Sequence, residues 1–166
     1  CPMRRQPSCH TQRLLAMSRL LDNIEELVAV GENFRLYVKG SSMLPLLGYG
    51  RDHIILRRTT AEEDIMGRIA MFRGERGNII VHRVIGLHDG IVTLRGDGNI
   101  YQVEQCRREK IVGVVESVIR QNGRCVSCTS SLWRLRERIW LCQPLIVRRY
   151  ALAIIRRWKR YVKREK

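Results

Sequence analysis

The stretch Tyr37-Val38-Lys39-Gly40-Ser41-Ser42-Met43-Leu44-Pro45-Leu46-Leu47 runs on through Gly48-Tyr49-Gly50-Arg51-Asp52 into the apolar His53-Ile54-Ile55-Leu56. A strand-like entry, a small-residue turn with two hydroxyls, a proline that stops helix formation and a second strand together place a serine on a bend. Such a bend displays a nucleophile in some proteins. More often the serine only closes a turn through its own hydrogen bonds, so the stretch needs partners elsewhere in the chain.

On both sides of the bend the pattern is that of short strands. Phe34–Val38, His53–Leu56, Arg68–Phe72, Ile79–Ile85, Ile91–Leu94 and Ile111–Ile119 alternate or run continuously apolar, separated by turn signals such as His88-Asp89-Gly90 and Gly96-Asp97-Gly98-Asn99. The fold class expected is mainly β: a coiled or partly closed sheet over residues 34–129. Residues 1–33 are read as a polar tail followed by one amphipathic helix over Gln12–Val30, ended by Gly31. Residues 130–166 are read as a basic helical tail, capped by Ser130 or Ser131 and broken or restarted at Pro144.

The 166 residues suffice for one domain with appendages and carry a net charge of +15. Residues 131–166 hold twelve Lys/Arg against Glu137 and Glu165, a net +10, so most of the charge is local. From Leu145 onward, Val147, Ala151, Ile154 and Trp158 share one helical face, with cations around the remainder. That combination suits peripheral contact with an anionic membrane; packing on the chain's own domain is the plain alternative. Nucleic acid is the weaker partner, since no array of base-stacking aromatics accompanies the charge. No uncharged run approaches the length of a bilayer span, and Arg13 and Arg19 interrupt any apolar signal core. Six scattered cysteines, with Cys125 and Cys128 the one close pair, point to a reducing compartment and the cytoplasmic side, and no cofactor or metal is expected.

A serine hydroxyl needs a base to become a nucleophile. His82, in Ile79-Ile80-Val81-His82-Arg83-Val84-Ile85-Gly86, is the histidine a strand would hold best, although strand histidines are commonly structural. Asp97 supplies a carboxylate on a glycine turn, suited to holding a histidine tautomer or simply to closing that turn.

In this order the serine box Val38–Pro45, the base box Val81–Gly86 and the acidic box Arg95–Asn99 resemble those of the type I signal peptidases and the related LexA-like self-cleaving peptidases, which share a β-rich fold. Ile111-Val112-Gly113-Val114-Val115 resembles the strand that follows, and the resemblance covers roughly residues 34–120. It implies Ser42 as nucleophile, His82 as base in the manner of the histidine-type signal peptidases, and Asp97 as the third functional residue. It also implies a precursor or leader peptide as substrate, bound as an added strand and cut after small residues. The chain departs from the family pattern where Gly40 replaces an oxyanion-binding serine, at Gly50-Arg51-Asp52 and Gly67-Arg68, and where Glu104 only loosely matches a further acidic position. A LexA-like self-cleaving module and a non-catalytic membrane-surface or nucleic-acid-binding adaptor remain as alternatives.

Overall fold

A computed structural model describes Asn23, Glu26 and residues 34–164 without 39, 49–51 and 76, and the side chains of these except at 34 and 159–164. The helix expected over Gln12–Val30 lies outside the described residues. The strands are β1 (Phe34–Tyr37), β2 (His53–Arg57), β3 (Ile69–Arg73), β4 (Ile79–His88), β5 (Ile91–Gly96), β6 (Asn99–Arg107), β7 (Ile111–Ile119) and β8 (Cys125–Ser127). Two helices follow, α1 (Ser131–Leu141) and α2 (Leu145–Arg164). Every strand pairing is antiparallel, in the order β1-β2-β7-β3-β4-β5-β6, with β8 on β7 beyond the reach of β3. Register shifts within β2–β7, β3–β7, β4–β5 and β5–β6 bend these strands locally, and the sheet is open.

The centre of the sheet is buried on both faces, which is why Ile69-Ala70-Met71-Phe72 is continuously apolar rather than alternating. Ile69 and Met71 join one core with Leu47, Ile54, Leu56 and Val118; Ala70 and Phe72 join the other with Val84, Val92 and Leu94. His82 pairs with Ala70 and carries its ring 6.5 Å from that of Phe72. The base candidate therefore stands on a strand paired with β3.

β6 is an edge strand that the pattern of apolar residues does not announce. Ile100 and Cys106 are its two buried positions, and Tyr101, Gln102, Val103 and Gln105 face solvent. A strand half in water has little need of apolar residues.

Ser130 caps α1 by accepting the backbone N–H of Trp133 at 3.3 Å. Trp133 is buried in the same core as Leu47 and Ile54, and Trp140 packs with Leu44, Ile100 and Leu152 of α2. The helices are thus part of the globule. α2 packs through Arg148, Ala151, Leu152 and Ile155, and the stripe of Val147, Ile154 and Trp158 faces outward. Arg148 is drawn inward because its guanidinium finds a carbonyl acceptor at Asp97 and the face of Trp140, 5.2 Å from the ring centroid. No helix among the described residues is long and apolar enough to cross a membrane.

Candidate active site

The serine loop is a series of tight turns. Leu44 N–H donates to the Ser41 carbonyl and Leu47 N–H to that of Met43, and a cis peptide joins Leu44 to Pro45. Gly40 has φ of +108°, a backbone conformation that strains any side chain, which accounts for glycine at this position. Asp52 closes the far side of the loop: its buried carboxylate accepts the Gly48 N–H at 2.7 Å and a hydrogen bond from Arg120. Behind the loop lies the turn between β5 and β6. Gly98 N–H donates to the Ser42 carbonyl at 2.6 Å.

That turn brings Ser42 and His82 together. The position a Cβ on Gly96 would occupy is 3.2 Å from Cβ of Ser42 and 3.1 Å from Nε2 of His82. Only a residue without a side chain leaves room for both. The opposite ring nitrogen, Nδ1, lies 3.0 Å from Oε2 of Glu104 on β6. The two meet at ion-pair distance without the alignment of a hydrogen bond, and neither atom has another hydrogen-bond partner among the described residues. Nε2 of the imidazole and Cβ of Ser42 thus border the same glycine, while Nδ1 faces Glu104. Burial lowers its pKa from the usual value, and the charge and hydrogen-bonding capacity of Glu104, with a smaller contribution from Asp97, offset this only in part.

Asp97, expected beside the histidine, has its carboxylate elsewhere. Both oxygens accept from Arg83, Oδ1 from Nε at 2.8 Å and Oδ2 from Nη2 at 2.7 Å. Arg83 also donates to the Gly67 carbonyl at 2.7 Å and to Glu137 of α1 at 2.8 Å. Burial works against the Arg83 charge, but the Asp97 hydrogen bonds and the charges of Asp97 and Glu137 outweigh it and raise its pKa. Strand alternation explains the division of labour: neighbours in β4 point to opposite faces, so His82 meets Glu104 and Arg83 meets Asp97. Asp97 acts on the site through its backbone, as one end of the turn that holds Ser42. Glu104 is the residue whose part the sequence understates. Its signal was its place seven positions beyond Asp97, on the same face of β6 as Gln102.

Ser42, His82 and Glu104 line one cleft of about 620 Å³, whose walls include Leu36, Tyr37 and Val38 on one side and Ile79 to Val81 on the other. β1 pairs with β2 alone, and β5 pairs with β4 only from Arg83 onward, so both walls present strand edges unpaired among the described residues. No cluster of three or more His, Cys, Asp or Glu among the described residues could hold a metal ion. Cys125 is exposed and Cys128 buried, and both are free thiols.

Comparison with protein-family models gives no match, and neither does comparison with curated proteins.

Proposed function

We propose that the chain is a serine endopeptidase of signal-peptidase type that cuts precursor or leader peptides after small residues. The observation that carries this reading is the placement of the His82 imidazole, with Nε2 against the glycine that Ser42 also borders and Nδ1 toward Glu104, in one open cleft. A hydroxyl that can give up its proton on one side of a base and a carboxylate on the other is the arrangement nucleophilic serine chemistry needs. The antiparallel sheet with the serine box, base box and acidic box on adjoining elements is read as the signal-peptidase type of fold.

The substrate enters as an extended segment between the edges of β1 and the start of β4, its backbone satisfying N–H and carbonyl groups on both walls. Ser42 Oγ attacks the scissile carbonyl while His82 Nε2 takes the hydroxyl proton. Glu104 opposes the positive charge that then develops on the ring. Backbone N–H groups at the Ser42 turn stabilise the oxyanion, alone or with the Ser41 hydroxyl, in place of the side chain that Gly40 lacks. The imidazolium returns its proton to the leaving amine, and a water activated by the same nitrogen hydrolyses the acyl-enzyme.

The test is cleavage of a peptide library with small residues at varied positions, read by mass spectrometry, by the wild type, Ser42→Ala and His82→Ala. Each substitution is expected to lower the rate about 10³-fold or more with the fold unchanged by circular dichroism. Equal cleavage by wild type and Ser42→Ala would overturn the reading.

A further inference from the structure

The packing of α1 and α2 leaves each helix with an unpartnered apolar stripe. On α1, Leu132, Leu135 and Ile139 lie on the side opposite Trp133, Glu137 and Trp140; on α2, Ile146, Tyr150, Ile154 and Trp158 lie opposite Arg148 and Leu152. The four α2 residues, spaced by one turn, are 70%, 66%, 69% and 67% exposed. Large side chains in a continuous row with that much water contact mark an interaction surface rather than scattered surface residues. Cations accompany both helices: residues 131–166 carry a net +10 in sequence, and Arg134, Arg136 and Arg138 of α1 are exposed. Arg149 and Arg157 are exposed beside the stripe, whereas Glu137, one of the two acidic residues, is turned inward to Arg83.

We propose that the outward faces of α1 and α2 form a docking surface for an anionic lipid bilayer, the apolar stripe entering the headgroup boundary and the cations meeting lipid phosphates. A row of aliphatic and aromatic residues flanked by arginines fits a surface that is apolar below and negative above. A protein partner would need acidic groups to match the arginines along two full helices; a bilayer offers both chemistries over any length. The inner faces of the same helices hold the catalytic turn. Trp140 Nε1 donates to the Asp97 carbonyl at 3.2 Å, Arg148 Nη2 to the same oxygen at 3.0 Å, and Arg156 Nη2 to the Gly98 carbonyl at 2.7 Å. Gly98 N–H then holds the Ser42 carbonyl, so the docking surface and the serine loop are joined through one turn. The surface rests on the exposure of α1 and α2 and stands whether or not Ser42 is a nucleophile.

The experiment is co-sedimentation of the full chain with phosphatidylcholine vesicles, with and without about 30% phosphatidylglycerol, as a function of salt. Trp133 and Trp140 are buried, so a blue shift of emission on binding reports Trp158. Binding to the anionic vesicles with a blue shift is expected, weakened about tenfold on phosphatidylcholine alone and about tenfold by Ile146→Ser/Ile154→Ser, with folding unchanged by circular dichroism. Failure to bind anionic vesicles at low salt would overturn the proposal, as would equal binding by the double variant. A stable dimer abolished by that variant would assign the face to a second copy instead. Duplex DNA binding tighter than vesicle binding and indifferent to Ile146 and Ile154 would assign the cations to nucleic acid.

Discussion

His82 Nδ1 lies 3.0 Å from the Glu104 carboxylate, whereas the Asp97 carboxylate gives both oxygens to Arg83. The two acids therefore fail differently when neutralised. Glu104→Gln keeps the fold and is expected to lower kcat about 10²–10⁴-fold, because the imidazolium loses its counter-charge. Asp97→Asn leaves the buried Arg83 guanidinium with Glu137 as its carboxylate partner and is expected to cost about 1–3 kcal/mol of stability. Peptide hydrolysis and thermal unfolding, run on both variants, separate the two roles.

The pH dependence follows from the His82 shift. Its folded pKa is below the unfolded value of about 6.5, so the unfolded chain binds the proton more readily; the contribution to stability is present above about 6.5 and is lost as pH falls toward the folded pKa. The acid limb of kcat/KM is expected below about 6.5 for the same reason. Removing the Glu104 charge removes what raises the pKa. In Glu104→Gln the ring should titrate at still lower pH, measured by NMR on the imidazole protons; an upward move would contradict the account.

Gly96 is the residue on which the serine and the imidazole converge. A Cβ there would stand 2.5 Å from the Ser42 carbonyl oxygen, a backbone atom that cannot swing aside. Gly96→Ala is expected to displace Ser42 from His82 and to lower the rate about 10²-fold or more. In β4, a Cβ at Gly86 would meet nothing nearer than Thr93 Cβ at 3.3 Å, so Gly86→Ala should be much milder in the same assay.

The thiols should separate by burial. Cys128 sits in the core beside Trp133, and burial, with a smaller contribution from the Glu137 charge, pushes it up to about 12. Iodoacetamide is expected to modify Cys125 and Cys142, which are exposed, and to reach Cys128 only on unfolding, with peptide mass as the readout.

Much of this was legible in the residues. Continuous apolar runs and glycine turns announce the central strands, and the bend at Ser42 and the strand position of His82 are local facts that a sequence carries. The structure sets Cβ of Ser42 and Nε2 of His82 each against Gly96. What the sequence could not decide is which carboxylate meets His82. That depends on the register of β6, and β6 is a mostly polar edge whose strand character is itself hidden: two buried residues in nine give little periodicity to read. Asp97 stands in a recognisable turn, but its side chain goes to Arg83, since alternation sends neighbouring residues of β4 to opposite faces. The helical face of Val147, Ile154 and Trp158 was equally plain as a pattern. That it points away from the globule was not, because the inward pull on Arg148 comes from a carbonyl fifty-one residues away in the chain.

The central claim is that Ser42 forms the covalent intermediate. Acid-quenching the protein after brief exposure to an activated ester of acetyl-alanine, followed by peptide mass spectrometry, locates the acyl group directly. The account predicts an acetyl-alanyl mass on the peptide containing Ser42, absent in Ser42→Ala and strongly reduced in His82→Ala. Acylation at another residue, or unchanged labelling in Ser42→Ala, would contradict it.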